Sequence, residues 1–515
     1  MNSWLNPTLE KLTLRYVIVA LFFLFVVGVE GCLMRVDLCN IPLHKYEEFF
    51  AMMTAHPVVG IYGWAYIAVM GAFYYLVPKL LNRNLHSVRL AMIGLVIHML
   101  GVIVAWSACF FLHYAPLYTI YWPLPVNWNI FPPSGALTFT LGLALIEFSI
   151  LLFIFNIFST ILRGSEGNGG SIKGFIIAAF NLDKIASLIN RKNKFLNGGS
   201  RPPVFIVSVM RGSIDAVINA LILIMAGLLI LIYSIYAIIG VNLSTQLINP
   251  LIYKNVYWWG LDMVADGDVL IWTAGVLYLM APLLANRPLY GENIVRYVIL
   301  ADLIISMGVW SHHLLSDTPQ PALLRLISGQ FITWGEYVTM GLSFFAALKT
   351  LWLARPLKMN IPLKFMLGGI LGFMLGGVSG LIQANYALNV FLHNTQWVIG
   401  THAHMMLLAG LSTLIFAVIY TLLPSLTGKE LISMKLSNTH FMLWMIGSIG
   451  MSLSLGFAGI AGMLRRNLYH GITLYIPYMY AAIIFAVVMA LGYLSFIINI
   501  VKTYGIRTIL KILIF

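Results

Sequence analysis

Gly400-Thr401-His402-Ala403-His404-Met405-Met406 is the stretch on which the reading turns. It lies inside an apolar run from about Trp397 to Leu423, long enough to cross a bilayer. An imidazole that faces lipid is costly, so histidines in such a run face a bundle interior and usually have a function. In a helix, positions i and i+2 point about 200° apart. His402 and His404 therefore look out of opposite sides of one helix. They cannot share a metal, but they can serve two centres with the helix between them.

The surrounding chain is built for a membrane. Of its 515 residues 60% are hydrophobic and 9% charged, a composition that excludes an ordinary soluble core. Apolar runs fall roughly at 14–36, 50–80, 88–113, 134–163, 207–240, 256–285, 294–315, 328–354, 363–391, 396–424, 438–463 and 473–502. They predict an all-α membrane protein of twelve transmembrane helices, a single transmembrane domain over 1–515. The net charge of +13 would point to nucleic acid in a soluble protein. Here it reports orientation, because Lys and Arg concentrate in alternate loops. Lys11 and Arg15, Lys79 to Arg89, Arg163 to Arg211, Arg287 and Arg296, Lys349 to Lys364, Lys429 and Lys435, and Lys502 to Lys511 share one side. On the other side Arg35, Lys45, Lys254 and Arg325 stand singly. The positive-inside rule then puts both termini in the cytoplasm and the chain in the plasma membrane as a multi-pass protein.

The segment 164–206 is rich in Gly, Ser and Asn and basic, and reads as a cytoplasmic connector with a short amphipathic helix near 173–190. Cys32, Cys39 and Cys109 make no disulfide framework, although Cys32 and Cys39 can pair on an oxidising side. The first apolar run lacks a small-residue cleavage site and reads as a retained helix rather than a signal peptide.

Topology brings five of the twelve histidines to one depth. His56 lies just inside span 2, His312 and His313 end span 7, and His402 and His404 are about two turns into span 10. A chance layout of core histidines would not do this. His44, His86, His113, His393 and His470 fall in loops or at span ends, and His98 and His440 stay ambiguous within spans. Asp262 and Asp266 in span 6 are at i and i+4 on one helix face, at the depth of the histidines. Two such carboxylates need a cation or a proton between them, or are helix-start acids favoured by the dipole. Glu336 in span 8 lies near that depth, while Asp302 and Glu147 lie further in as candidate proton relays. Arg465 and Arg466 follow span 11 on the side poor in positive charge. They read as interfacial arginines or as a guanidinium pair that meets fixed anions such as haem propionates.

This pattern resembles subunit I of the haem–copper oxygen and nitric oxide reductase superfamily, across essentially all twelve spans. The resemblance implies a low-spin haem held by His56 and His404 and a high-spin haem held by His402. It implies a non-haem metal held by His312 and His313, and propionates held by Arg465 and Arg466. Gly462-Met463-Leu464-Arg465-Arg466 carries Leu464 where the family usually has proline. The third, span-6 histidine is missing. Aligning on Gly267 puts Asp262 at that histidine and Asp266 at the glutamate of nitric oxide reductases. Aligning on Gly260 puts Leu261 there and leaves two histidines. The first explains both acids, and carboxylate oxygen favours iron over copper. The redox tyrosine of oxygen reductases is absent, since Ala265 or Asp266 and Ser306 occupy its places.

The expectation is reduction of nitric oxide to nitrous oxide between a high-spin haem and an iron held by His312, His313 and Asp262. Asp266 and Glu336 would hold or deliver protons. The alternatives are an oxygen reductase with an unusual site, a two-haem electron-transfer or sensor protein and, on hydrophobicity alone, a transporter. Implied partners are the gas, the lipid bilayer, and a quinol or a cupredoxin- or cytochrome c-like donor subunit, with no nucleic acid.

Overall fold

A bilayer leaves backbone N–H and C=O groups no partner but each other, so a long apolar run closes its bonds as a helix. The computed structural model describes residues 7–163, 172–189, 201–310, 312–317, 319–469 and 472–514. Its main helices are α1 (Leu9–Asp37), α2 (Tyr46–Leu81), α3 (Val88–Phe111), α4 (Pro133–Leu162), α5 (Val204–Ile238) and α6 (Pro250–Ala285). Then come α7 (Glu292–Ser306) and α8 (Ile332–Trp352). The last four are α9 (Ile361–Gln383), α10 (Val398–Thr427), α11 (Met434–Ile460) and α12 (Ile476–Tyr504). Among the described residues ten helices are long and apolar enough to cross a membrane, all of these except α7 and α8. There is no strand among them, only one isolated bridge between Thr395 and Leu464. The molecule is a membrane helical bundle.

Three sequence expectations are corrected. The span expected over 294–315 is helical only to Ser306. Gly308 follows, and a Cβ there would stand 2.7 Å from Ile332 Cδ1, so the chain leaves its helix hard against α8. His312–Leu314 then form one separate 3₁₀ turn. The span expected over 363–391 breaks after Gln383, where the Asn385 side chain accepts from Leu388 N and starts the short helix Tyr386–Leu392. Arg211 is not a loop charge. It lies inside α5, fully buried, as do Arg296 in α7 and Arg35 in α1. A count of basic residues cannot tell a loop arginine from one paired inside the bundle.

In the 164–206 connector the short helices Ile172–Ala179 and Leu182–Ile189 stand where one short helix is expected. Residues 164–171 and 190–200 of that connector, and His470, lie outside the described residues.

Four helical segments widen to i→i+5 turns near the histidines: Val58–Tyr66 in α2, Met263–Asp268 in α6, Arg325–Phe331 leading into α8, and Val398–Ser412 in α10. Such turns are rare and frequently mark functional sites. In α2 the cause is legible: Pro57 follows His56, lacks an N–H and breaks the ladder at that point. The widened part of α10 is held against α9 by small residues. A Cβ on Gly372 would stand 2.3 Å from the Ala409 carbonyl carbon, and one on Gly376 2.3 Å from Met406 Cγ. Only glycine permits that approach.

Candidate haem and metal sites

The widened start of α10 sets His402 and His404 on opposite sides of the helix. Each imidazole has its Nδ1 committed to a backbone carbonyl: His404 to Ile399 O at 2.7 Å, His402 to Gly376 O at 3.0 Å. An Nδ1–H held this way leaves Nε2 as the free nitrogen, the usual arrangement of a metal-ligating histidine. Gly380 gives His402 its room, since a Cβ there would be 2.9 Å from the ring.

On one side, His404 faces His56 of α2, with ring centres 6.1 Å apart and planes 33° from parallel. With metal–nitrogen bonds of about 2 Å on each side, two imidazoles sharing one metal stand roughly this far apart. Glu30 of α1 lies behind His56. Its Oε1 accepts from Trp106 Nε1 at 2.7 Å, and its Oε2 lies 3.9 Å from His56 Nδ1. On the other side, His402 faces His313 at 6.4 Å between ring centres. A cavity of about 610 Å³ is lined by His56, His402, His404 and His313 together, and by Arg465 and Arg466. Its size is within the range of cofactor sites, about 300–1,000 Å³.

The two arginines fit an anionic group. Arg465 reaches Asn394 Oδ1 at 3.3 Å, and Arg466 reaches Tyr118 OH at 3.4 Å and lies over the Tyr118 ring. Both Nε atoms are buried without a hydrogen-bond partner. Burial lowers the Arg465 guanidinium to about 10, and the charge of Arg466 adds to this. Burial alone would raise the Tyr118 phenol, but the Arg466 and Arg465 charges outweigh it and bring it below its usual value. Two adjacent half-buried cations with buried, unpartnered Nε donors call for an anion between them.

His312, His313 and Asp266 come together: one ligand atom from each lies within 4.8 Å of the others. Asp266 Oδ2 is 3.9 Å from His312 Nε2 and 3.6 Å from His313 Nδ1, and it has no hydrogen-bond partner. Asp262 stands elsewhere. It is fully buried behind His313, with Oδ1 2.6 Å from Nδ1 and Oδ2 accepting from the His313 backbone N–H at 3.4 Å. The ligand place expected for Asp262 meets a different geometry: Asp266, not Asp262, lies within reach of both imidazoles, and Asp262 is hydrogen-bonded to His313. Thr333 Oγ1 lies 2.8 Å from His312 Nδ1, and Glu336 Oε2 lies 3.9 Å from the same nitrogen. The unpartnered Asp266 oxygen aimed at two imidazoles fits a metal; two histidines and one carboxylate is a common donor set for non-haem iron.

The ambiguous histidines are core groups. His98 has both ring nitrogens engaged, by Ser149 Oγ and Tyr62 O, and His440 meets Tyr420 OH among Phe365, Phe416 and Phe496. Sequence reasoning missed Glu30, Thr333, Arg211 and Asp215. A charge inside an apolar run is the signal that finds the three charged ones; nothing in the sequence singles out Thr333.

Residues 11–488 match the family model described as Cytochrome C and Quinol oxidase polypeptide I. The chain is similar to cytochrome c oxidase subunit 1 of Thermostichus vulcanus, 25% identical over 97% of this chain and 84% of that protein. It is similar to heme-copper oxidase subunit I+III of Aeropyrum pernix, 24% identical over 97% of this chain and 58% of that protein. The cryo-EM structure of a heme-copper terminal oxidase dimer shares its fold, with TM-score 0.76 and 19% identity over 99% of this chain and 84% of that one. The chain belongs to the cytochrome c and quinol oxidase polypeptide I family and is a multi-pass membrane oxidoreductase of the haem–copper oxidase superfamily.

Proposed function

We propose that this chain is the catalytic subunit of a terminal respiratory reductase that acts on dioxygen. The sequence reading sets nitric oxide first. The names of relatives matching 97% of the chain, cytochrome c oxidase subunit 1 and heme-copper oxidase, move dioxygen ahead of it. The observation that carries the reading is the placement of His56 and His404 on one side of α10 and of His402, His313, His312 and Asp266 on the other.

In this reading His56 and His404 hold one haem through Nε2, His402 holds the second, and Arg465 and Arg466 take their carboxylates. His312, His313 and Asp266 hold the non-haem metal. When bound, these groups supply one-electron transfer and a place for the gas. The protein does the rest. Ile399 O and Gly376 O fix the tautomers of His404 and His402, and Asp262 fixes that of His313. Glu336, with Oε1 unpartnered, holds a proton beside His312. In this reading both termini lie in the cytoplasm, as the basic loops favour, α7 and α8 are two further crossings of a twelve-span catalytic unit, and a quinol or a cytochrome c- or cupredoxin-like subunit donates electrons.

Nitric oxide reduction is the second reading. It is favoured by the carboxylate of Asp266 between the two histidines and by Ala265 where oxygen reductases carry a tyrosine. Iron at the non-haem site goes with it, and copper with the first.

Metal and haem content of the purified protein, with O₂ and NO consumption under one artificial donor, tests both. Two haems, one copper and O₂ turnover meet the first reading. Two haems, a third iron and NO turnover without O₂ turnover replace it with the second. Two haems with neither activity and no further metal would leave an electron carrier or sensor and end both.

A further inference from the structure

Helix α5 supplies none of the three candidate donors, yet it packs on the wide turn that carries Asp266 and on α7, which leads to His312 and His313. Its Arg211 is 0% exposed. One terminal nitrogen, Nη1, lies 2.8 Å from Asp215 Oδ2 and donates to the carbonyl of Gly267. The other, Nη2, lies 3.3 Å from Asp302 Oδ2 and donates to Asp302 O at 3.2 Å. Each carboxylate carries the contact onward. Asp215 Oδ1 accepts from Ser306 Oγ at 3.1 Å, and Asp302 Oδ1 accepts from Thr339 Oγ1 at 2.7 Å.

The places so joined are the places that aim the donors. Gly267 directly follows Asp266 in the widened turn Met263–Asp268. Ser306 is the last residue of α7, where the chain leaves for His312 and His313. Thr339 is one turn beyond Glu336 on α8. A Cβ on Gly267 would stand 3.0 Å from Asp215 Oδ2, so the wide turn is closed against this cluster. Burying a guanidinium with two carboxylates costs desolvation that their attraction need not repay. Its use here is geometric: a planar fork fixes three elements at once, which a point charge cannot do.

We propose that Arg211 is a positioning residue for the non-haem metal, holding the wide turn of α6 so that the Asp266 carboxylate meets His312 and His313. The proposal rests on the reading of those three residues as donors. The closest variant, Arg211→Lys, keeps the charge and loses the fork. The holoenzyme variant is expected to keep both haems and the low-spin optical spectrum. Its non-haem metal should leave into a chelator with about 10–100-fold weaker retention, the usual cost of removing a supporting partner of a ligand. Metal content and chelator resistance equal to wild type would overturn the proposal.

Where Arg211→Lys fails to accumulate, the variant Arg211→Gln/Asp215→Asn/Asp302→Asn, which removes all three buried charges, decides by the same two readouts. Failure of both variants to accumulate with haem would also overturn it, since the cluster would then support the whole bundle and not one turn. The donor reading fails separately and in the wild type: two haems and no third metal there would remove the site and Arg211's role with it.

Discussion

The two sides of α10 are built by different means. On the His404 side the ring is fixed by a carbonyl of its own helix, Ile399 O, and its partner His56 sits one residue before the proline that widens α2. On the His313 side the ring is fixed by Asp262 of α6, the candidate donors come from α6 and a 3₁₀ turn, and Thr333 of α8 meets His312. A ligand held by its own backbone is in place once its helix forms. A ligand held by side chains from other helices depends on how those helices meet. The first side should tolerate changes elsewhere in the bundle; the second should not.

The largest effects separate the two sides outright. His404→Ala or His56→Ala should lose one of two haems and essentially all turnover, read as haem per protein in the pyridine spectrum. His312→Ala should also end turnover but keep both haems and lose the third metal. A His312→Ala protein that lost a haem instead would merge the two sides into one cooperative unit and break the comparison.

Next comes the exchange between the two acids. Asp266→Ala removes a donor and should weaken metal retention by about 100-fold, whereas Asp262→Asn removes an orienting partner and should weaken it by about 10-fold. Equilibrium dialysis against a chelator ranks them. The reverse order would restore the ligand role expected for Asp262.

That exchange marks where the sequence stops being legible. Composition and apolar run length are one-dimensional properties and carried the membrane bundle, and the i, i+2 spacing carried the side-to-side split of His402 and His404. The i, i+4 spacing put Asp262 and Asp266 on one face, and both do lie near His313. Spacing cannot say which of two acids reaches between the rings, because that depends on the widened turn over Met263–Asp268 and on where α7 stops. Arg211 departs from the loop expected for it for a related reason: near a span end, a loop charge and a buried pair look alike until Arg211 is seen to meet both Asp215, one helical turn on, and Asp302.

A smaller effect probes the one ligand candidate on the His313 side that a backbone carbonyl, here from α9, holds in place. Gly376 lends its carbonyl to His402 Nδ1, and a Cβ on it would strike Met406 Cγ and come within 2.9 Å of Met406 N. Gly376→Ala should destabilise the α9–α10 contact by about 1–3 kcal/mol, as overpacking does. The check is earlier thermal loss of the haem spectrum, with Gly341→Ala, where nothing lies within 4 Å, as the unaffected control.

The smallest effect asks whether the His56 side is free of side-chain support after all. Glu30 Oε2 and His56 Nδ1 are both buried without a hydrogen-bond partner and face each other at 3.9 Å, while Trp106 holds the other carboxylate oxygen. A carboxylate behind an axial imidazole makes the ligand more basic and favours the oxidised, more positive metal. Glu30→Gln removes that charge and keeps the shape and the Trp106 bond. The low-spin haem should then become easier to reduce, by up to about 60 mV, a tenfold change for a one-electron couple. Redox titration of the low-spin band measures it. An unchanged potential would leave Ile399 O and the helix path as the whole support of this side. A shift as large as one from Asp262→Asn on the other centre would mean that carboxylates tune both sides alike, and that the difference between them lies only in how many helices must meet.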